Sequence, residues 1–231
     1  MNLVVLDLEW NQAMSSKSSV FNKLPIHLGG EIIEIGAVKL NDAFETVSEF
    51  SEYVRPDNLR IEADIEALTG ITNEMVAGAP AFSEVLARFL DWIGEDEVEV
   101  YSWSLTDYHQ LHHESERKDL LDERVQRLLD SWVDFQEVFG KELGITHSLK
   151  LEYALKAANI DFEGKAHDGL TDARNTAHLF VLSRDRARFE KAIAVIAEMF
   201  RPKNRLSTSL GSFFPANLDL PEGPEDEDTE V

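Results

Sequence analysis

Cysteine is absent from the 231 residues of this sequence. A chain without thiols forms no disulfide and no thiolate metal site, which favours a cytoplasmic protein. Long apolar runs are also missing: no stretch approaches the roughly 18 consecutive apolar residues of a membrane helix. No basic-then-apolar signal peptide precedes the first predicted strand. We therefore expect neither a membrane segment nor a membrane partner.

Basic residues are scarce. The sequence has 22 Lys and Arg against 44 Asp and Glu, which gives a formal net charge of −22. A protein that grips a long duplex through its phosphates normally carries the opposite sign. The charge argues against such a scaffold, but it is compatible with an enzyme that holds a strand end through bound cations.

The length and the composition predict one sizeable α/β domain, with 43% hydrophobic residues available for a core. We place this domain at residues 1–200. Residues 201–231 are rich in proline, serine and acids, and they are predicted to form a disordered tail. Phe213 and Phe214 make the tail a candidate contact for a protein partner. The sequence does not determine the oligomeric state.

The first strand carries an acidic pair. Residues 3–6 are continuously apolar, which predicts a strand buried on both faces, and Asp7 and Glu9 follow. Because side chains alternate along a strand, the two carboxylates point to one face and Leu8 points to the other. Neighbouring carboxylates repel each other unless a cation joins them, so the pair indicates a site for a hard divalent metal. The alternative is a strand end with two solvated acids.

The remaining pattern predicts a mixed sheet flanked by helices. Predicted strands cover residues 1–9, 31–40, 45–54, 98–102 and 131–134, and the second and third form an antiparallel hairpin before the parallel strands. Predicted helices cover residues 82–93, 106–116, 135–143, 148–158, a segment from about Thr171, and 186–200. Residues 10–30 are interpreted as a loop, and residues 68–72 as a turn.

Further chemistry-bearing side chains stand at predicted helix starts. Asp107 lies in the first turn of a helix that follows a strand directly. Asp172 follows a candidate N-cap, Thr171, and His167 lies in the loop before it. Strand ends and helix starts are the usual place for sites in open α/β sheets. Taken singly, Asp107 and Asp172 are better explained as ordinary helix-capping acids than as metal ligands.

The ordered set of acids resembles the DEDDh 3′–5′ exonuclease superfamily, which has an RNase H-like fold. The resemblance covers roughly residues 1–185 and is closest to bacterial Eri-type and KapD-like exonucleases. The motifs that carry it are Asp7-x-Glu9, EIIEIGAVKL at 31–40, LTGIT with EMV and AP at 68–80, WSLTD at 103–107, and SLKLEYALKAANIDFEGKAHDGLTDARNTAHL at 148–179.

The resemblance implies that Asp7, Glu9, Asp107 and Asp172 hold two Mg²⁺ or Mn²⁺ ions, and that His167 is the general base. Two ions roughly 3.5–4 Å apart can stabilise the attacking and leaving oxygens of a phosphoryl displacement. The implied activity releases nucleoside 5′-monophosphates from single-stranded 3′ ends, with RNA favoured over DNA. The alternatives are a DNA exonuclease of the proofreading or repair type and a non-catalytic regulatory module on the same fold.

The residues that would bind substrate are less defined. Many relatives follow their acidic pair with Thr-Thr-Gly, whereas here Trp10-Asn11-Gln12 follows. Trp10 is either a stacking surface for a base or a core aromatic. By resemblance, the candidate substrate-binding residues are Leu8, Trp10, Leu68, Gly70 and Ile71.

Two other features are set aside or left open. His109 and His113 have helical i, i+4 spacing, but a zinc site would need further ligands facing them, and we interpret them as a solvated face. Glu34 lies inside a predicted strand, where it supports the site or stands at a sheet edge.

Overall fold

A computed structural model describes residues 2–12, 30–57, 60–144 and 148–200. The loop interpreted over residues 10–30 therefore lies largely outside the described residues, and so does the whole tail from 201 to 231. Within the described residues, no helix combines the length and the apolar character needed to cross a bilayer.

Five strands and nine helices form in this part of the chain. The strands are β1 (Asn2–Asn11), β2 (Glu31–Leu40), β3 (Thr46–Tyr53), β4 (Val98–Ser102) and β5 (Trp132–Asp134). The helices are α1 (Ala63–Thr69), α2 (Asn73–Ala77), α3 (Phe82–Ile93), α4 (Leu105–Arg117), α5 (Glu123–Asp130), α6 (Phe135–Leu143), α7 (Leu151–Ala157), α8 (Gly169–Arg184) and α9 (Arg186–Phe200).

The strands make one mixed sheet in the order β3-β2-β1-β4-β5. Strand β2 runs antiparallel to both of its neighbours, β1 and β3, whereas β4 and β5 continue parallel to β1. Parallel neighbours require crossover connections. The chain between β1 and β4 includes helices α1 to α3, and helices α4 and α5 connect β4 to β5. The predicted fold class, an antiparallel hairpin followed by parallel strands with flanking helices, is confirmed.

The central strand β1 divides the core between the two faces of the sheet. Its even-numbered residues Val4, Leu6 and Leu8 pack into a cluster with α3, α4 and α5. Its odd-numbered residues Leu3 and Val5 pack into a second cluster with α6, α7 and α8. Both faces are apolar up to residue 6, as the continuous hydrophobic run predicts. Beyond that point the odd-numbered face turns acidic.

Three helices were not predicted. The helices α1 and α2 are only seven and five residues long, which is too short for a helical period to stand out. The third, α5, did offer a signal: Asp122 caps it, and Val125, Leu128 and Leu129 are buried at helical spacing.

The start of α8 differs from the prediction. We expected this helix to begin near Thr171 with Thr171 as its N-cap, but it begins at Gly169 and its cap is Asp168. The Asp168 carboxylate accepts a hydrogen bond from the Thr171 amide at 2.9 Å. Thr171 thus lies in the first turn of the helix. Asp and Thr both serve as N-caps, so local sequence alone did not decide between them.

Two glycines let α8 approach the sheet closely. A Cβ on Gly36 of β2 would lie 2.0 Å from the backbone carbon of Gly169 and 2.0 Å from the backbone nitrogen of Leu170. Such distances are far inside van der Waals contact, so any side chain at position 36 would push the helix start away from the sheet.

We therefore predict that Gly36→Ala lowers the free energy of unfolding by about 3 kcal/mol, because the clash involves backbone atoms on both sides. Gly78→Ala is the matched control, since nothing lies within 4 Å of a Cβ there and its φ is −99°. Urea unfolding of both variants measures the difference. Equal stabilities for the two variants would contradict the close approach.

Candidate active site

The acidic pair continues the odd-numbered face of β1. Asp7 and Glu9 follow Leu3 and Val5 on the face that α8 covers, and Glu9 is only 7% exposed. The β1–β2 register shifts immediately after Glu9, which marks a bulge. The predicted common orientation of the two carboxylates therefore follows from regular strand geometry up to the bulge.

The side of β1 that faces β4 is open at this point. Parallel pairing with β4 involves only residues 2–5 of β1. Further along, the amide of Leu8 donates instead to Asp107 Oδ1 at 3.0 Å. Asp107 stands in the first turn of α4, whose N-cap is Ser104, and it is 4% exposed. A strand amide without a strand partner thus positions the third carboxylate.

The far end of α4 is fixed by a buried acid. Glu114 is fully buried and accepts a hydrogen bond from the Ile32 amide at 2.7 Å. It also forms an ion pair with Lys118 at 2.9 Å. These contacts attach α4 to the beginning of β2, so the helix that carries Asp107 is held at both ends.

The fourth carboxylate and the histidine come from the start of α8. Asp172 Oδ2 accepts a hydrogen bond from the backbone amide of His167 at 3.0 Å. His167 is exposed and adopts a left-handed backbone conformation with φ of 63°. Ligand atoms of Glu9, His167 and Asp172 lie within 4.8 Å of one another, the only such group of three or more among the described residues.

Glu34 supports this arrangement from β2. It lies directly opposite Glu9 in the β1–β2 ladder and is 2% exposed. Its Oε2 accepts a hydrogen bond from the Gly169 amide, the first of α8, at 3.0 Å. A carboxylate at a helix N-terminus is stabilised by the helix dipole. Of the two roles left open for Glu34, the structure places it beneath the site, where it holds α8.

Burial and repulsion from nearby acids raise the pKa of all four carboxyl groups, those of Asp7, Glu9, Asp107 and Asp172. Burial is the largest cause at each position. The pKa of Asp7 is well above its usual value, since Asp107 and Glu9 add to the effect of burial. The pKa of Glu9 rises to about 9. The pKa of Asp107 rises to about 7 and that of Asp172 to about 6, although the amides of Leu8 and His167 partly offset the burial.

These features fit a divalent-cation site. Oxygen-rich clusters of this kind suit hard divalent ions, which neutralise converging carboxylates. Asp172 Oδ1 is buried and has no hydrogen-bond partner in the described part of the chain, which leaves it available as a ligand atom. Glu9, His167 and Asp172 have ligand atoms close enough to share one ion, and Asp7 and Asp107 line the same cavity.

The cluster lies in a cavity of about 520 Å³. All five predicted motif residues line this cavity, and so do Leu68, Trp10 and Leu8. The side chain of Leu8 is buried in the core on the opposite face of the sheet. Trp10 is half-buried against the same core cluster, so it has both the core contact and the exposure to the cleft that were considered for it.

Gly70 and Ile71 are not among the residues that line the cleft. Ile71 is 3% exposed and packs instead in a small cluster with Ile33 and Ile65. Gly70 ends α1 in a left-handed conformation, φ 81°, close to Lys165. The LTGIT turn thus contributes Leu68 to the cleft, while its later residues secure the turn.

Asn11, one of the residues that stand where many relatives have Thr-Thr-Gly, has a structural role here. Asn11 is fully buried, and its side chain bonds to the Arg60 carbonyl at 3.0 Å and to the Glu62 amide at 3.0 Å. It therefore ties the end of β1 to the segment that precedes α1. Leu68, which lines the cleft, is on that helix.

Sequence reasoning overlooked Asp168 and left Glu34 undecided. Asp168 is of a residue type that is preferred at N-caps, but so is Thr171, so the sequence offered two candidate caps for this helix. His109 and His113 belong to no potential metal-binding group within the described residues. His109 is exposed and lies edge-on to Tyr108.

Comparison with known proteins identifies the family. The sequence profile RNase_T, described as exonuclease, matches residues 4–180. The chain is 28% identical over 163 residues to 3'-5' exoribonuclease 1 of Rattus norvegicus, covering 65% of this chain and 46% of that protein. It is 32% identical over 204 residues to ERI1 exoribonuclease 2 of Danio rerio, covering 77% and 34%. The chain thus spans less than half the length of these relatives.

A solved structure agrees with the sequence matches. The nuclease domain of 3'hExo, a DEDDh family member, bound to rAMP, superposes with a TM-score of 0.68 at 25% identity. The alignment covers 80% of this chain and 92% of that one. The chain therefore belongs to the RNase_T exonuclease family, and residues 4–180 form a 3′–5′ exonuclease domain of the DEDDh type.

The raised pKa values predict how stability changes with pH. In the unfolded chain these carboxyl groups have pKa values of about 4. The folded protein therefore binds more protons than the unfolded chain between about pH 4 and about pH 9, the value for Glu9. The free energy of unfolding of the metal-free protein should fall as pH rises through this window. Thermal unfolding in a chelator between pH 5 and pH 9 measures it as a decreasing Tm.

Two variants distinguish the contribution of the cluster to this pH dependence from the contribution of the surface charge. Asp7→Asn removes one member of the cluster and should flatten the decrease. Glu116→Gln removes an exposed acid from α4 and should leave the slope unchanged. A Tm of the metal-free protein that rises from pH 5 to pH 8 would contradict the raised pKa values of the carboxylate cluster.

Proposed function

We propose that this protein is a metal-dependent 3′–5′ exonuclease that removes nucleoside 5′-monophosphates from single-stranded 3′ ends, with RNA as its preferred substrate. The observation that carries the proposal is the convergence of Asp7, Glu9, Asp107, Asp172 and His167 on one cleft of an exonuclease domain. RNA is favoured because the relatives at 28% and 32% identity are named exoribonucleases.

The chemistry divides between the carboxylates and the histidine. Two divalent ions held by Asp7, Glu9, Asp107 and Asp172 would neutralise the charge that develops on the phosphate and on the leaving oxygen. The exposed imidazole of His167, beside Asp172, accepts a proton from the attacking water. A bond forms between that water oxygen and phosphorus, while the bond from phosphorus to the 3′ oxygen of the preceding nucleotide breaks. The released 3′ oxygen takes a proton from solvent.

The backbone around His167 serves this role. The left-handed conformation at His167 lets its amide reach Asp172 while the residue remains exposed at the cleft. Asp172 therefore has one oxygen that holds the histidine backbone and one oxygen that is buried and free. One carboxylate thereby links the position of the base to the metal ligands.

Matched RNA and DNA oligonucleotides, labelled at either end and incubated with Mn²⁺, test the activity and the substrate. We expect mononucleotide release from the 3′ end, with RNA degraded at least about tenfold faster than DNA. Asp7→Ala should abolish release, because the cluster then lacks one ligand, without lowering Tm, because repulsion is relieved. Equal rates on RNA and DNA would reject the RNA preference and favour a DNA exonuclease of the repair type. Activity that survives in Asp7→Ala would reject the site.

His167→Ala tests the base separately from the metal ligands. Loss of a general base should lower kcat by about 10²- to 10⁴-fold. Mn²⁺ affinity, measured by calorimetry, should remain within a factor of about two. A large loss of Mn²⁺ affinity would instead identify His167 as a metal ligand, which its distance from Glu9 and Asp172 also permits.

A further inference from the structure

An exposed aromatic side chain lies on α7, next to the cleft. Tyr153 is 57% exposed, the highest value among the exposed large hydrophobic side chains of the described residues. The other members of that set are aliphatic or methionine, and no described ring contacts Tyr153. An aromatic face without an intramolecular partner is a surface on which any nucleic-acid base can stack.

Two lysines flank this ring. Lys150 is the N-cap residue of α7, three residues before Tyr153. Lys156 follows Tyr153 by three residues, which makes it a neighbour of the ring on the helix surface. Both are exposed, and neither has an ion pair within the described part of the chain. Many other cations of this acidic protein are matched with acids, as Lys141 is with Glu137 at 2.6 Å. Unpaired ammonium groups beside a stacking face complement a phosphodiester backbone.

The two lysines of this surface line adjoining cavities, one of which is the active-site cleft, whereas Tyr153 lines neither of them. Lys150 lines the cavity that contains the acidic cluster, whereas Lys156 lines a neighbouring cavity of about 710 Å³. The two cavities share Glu152, Phe162 and Ala166. Helix α7 thus extends from the cleft to the next concave surface.

The beginning of α7 is fixed to the cleft wall. The carbonyl of Leu149 accepts hydrogen bonds from Trp103 Nε1 at 2.9 Å and from Gln136 Nε2 at 2.7 Å. Trp103 is 8% exposed and packs in the core. The position of the Lys150–Tyr153–Lys156 surface relative to the cleft is therefore set by buried contacts.

We propose that the Lys150–Tyr153–Lys156 surface binds the nucleotides that precede the terminal one, in the single strand whose 3′ end occupies the cleft. This inference rests on the proposed exonuclease function and extends it. A base stacks on Tyr153, and the lysines contact flanking phosphates. Such contacts carry no sequence preference, and they favour strands longer than a dinucleotide.

The ratio of kcat/KM on a ten-nucleotide strand to kcat/KM on a dinucleotide tests the stacking. Tyr153→Ala should lower this ratio about tenfold, the order expected for one lost stacking contact. Tyr153→Phe keeps the ring and should retain the ratio. Val138→Ala removes apolar surface from an exposed position on α6 and is the control. An unchanged ratio in Tyr153→Ala would overturn the proposal.

Salt dependence tests the phosphate contacts. On the ten-nucleotide strand, Lys156→Gln should reduce the slope of log kcat/KM against log salt concentration by about 0.7, the amount per single-strand phosphate contact. Lys156→Arg should retain the slope, and so should Lys141→Gln, which removes a charge from α6. A slope in Lys156→Gln equal to that of Lys141→Gln would overturn this contact.

The two substrates keep the two hypotheses separate. If the unmodified protein releases no mononucleotide from either strand, the exonuclease function fails and this inference fails with it. If it degrades both strands and the length ratio is unaffected by Tyr153→Ala, only the Lys150–Tyr153–Lys156 surface is rejected.

Discussion

The burial of converging carboxylates is the constraint on which this site depends. Asp7, Glu9, Asp107 and Asp172 are brought together from one strand and two helix starts, at a cost in solvation that raises all their pKa values. The fold offsets part of the cost with backbone amides. Leu8 donates to Asp107 and His167 donates to Asp172. The remaining repulsion between the carboxylates would be relieved by bound cations.

The surrounding structure keeps these groups from moving apart. Gly36 and Gly169 let the first turn of α8 lie directly on β2, and Glu34 bonds to the first amide of that helix. On the other face of the sheet, Glu114 attaches α4 to β2 through the Ile32 amide. Both helices that carry catalytic candidates are therefore anchored to one strand, β2, which itself contributes no ligand to the proposed metal site.

Much of the fold follows from the sequence because its signals are local and strong. The apolar run at residues 3–6 identifies a buried strand, and the apolar residues of α3 at helical spacing identify a helix. The expectation that acids at strand ends and helix starts meet in space agrees with their common cleft. The alternation along β1 also indicates that the Leu8 side chain points away from Asp7.

Other features depended on distant contacts and could not be predicted. Asp168 and Thr171 are both acceptable caps, and the start of α8 is tied to the contact between Gly169 and β2. The position of Glu34 opposite Glu9 depends on the register between β1 and β2, and this register shifts immediately after Glu9. Ile71 is read as a cleft residue from its motif, but tertiary packing places it against Ile33.

The uneven pairing of β1 has a consequence for dynamics. Its first residues are bonded on both sides, by β2 and β4, whereas from Leu6 onward the ladder with β2 is its only strand pairing among the described residues. The acidic half of the strand is thus the half with the fewest cooperative hydrogen bonds, and local opening there should require less free energy than in the first half. An ion that ties Asp7 and Glu9 to the helix starts would close that opening. Cation binding and the protection of the amides of this half of β1 from hydrogen exchange should then increase together.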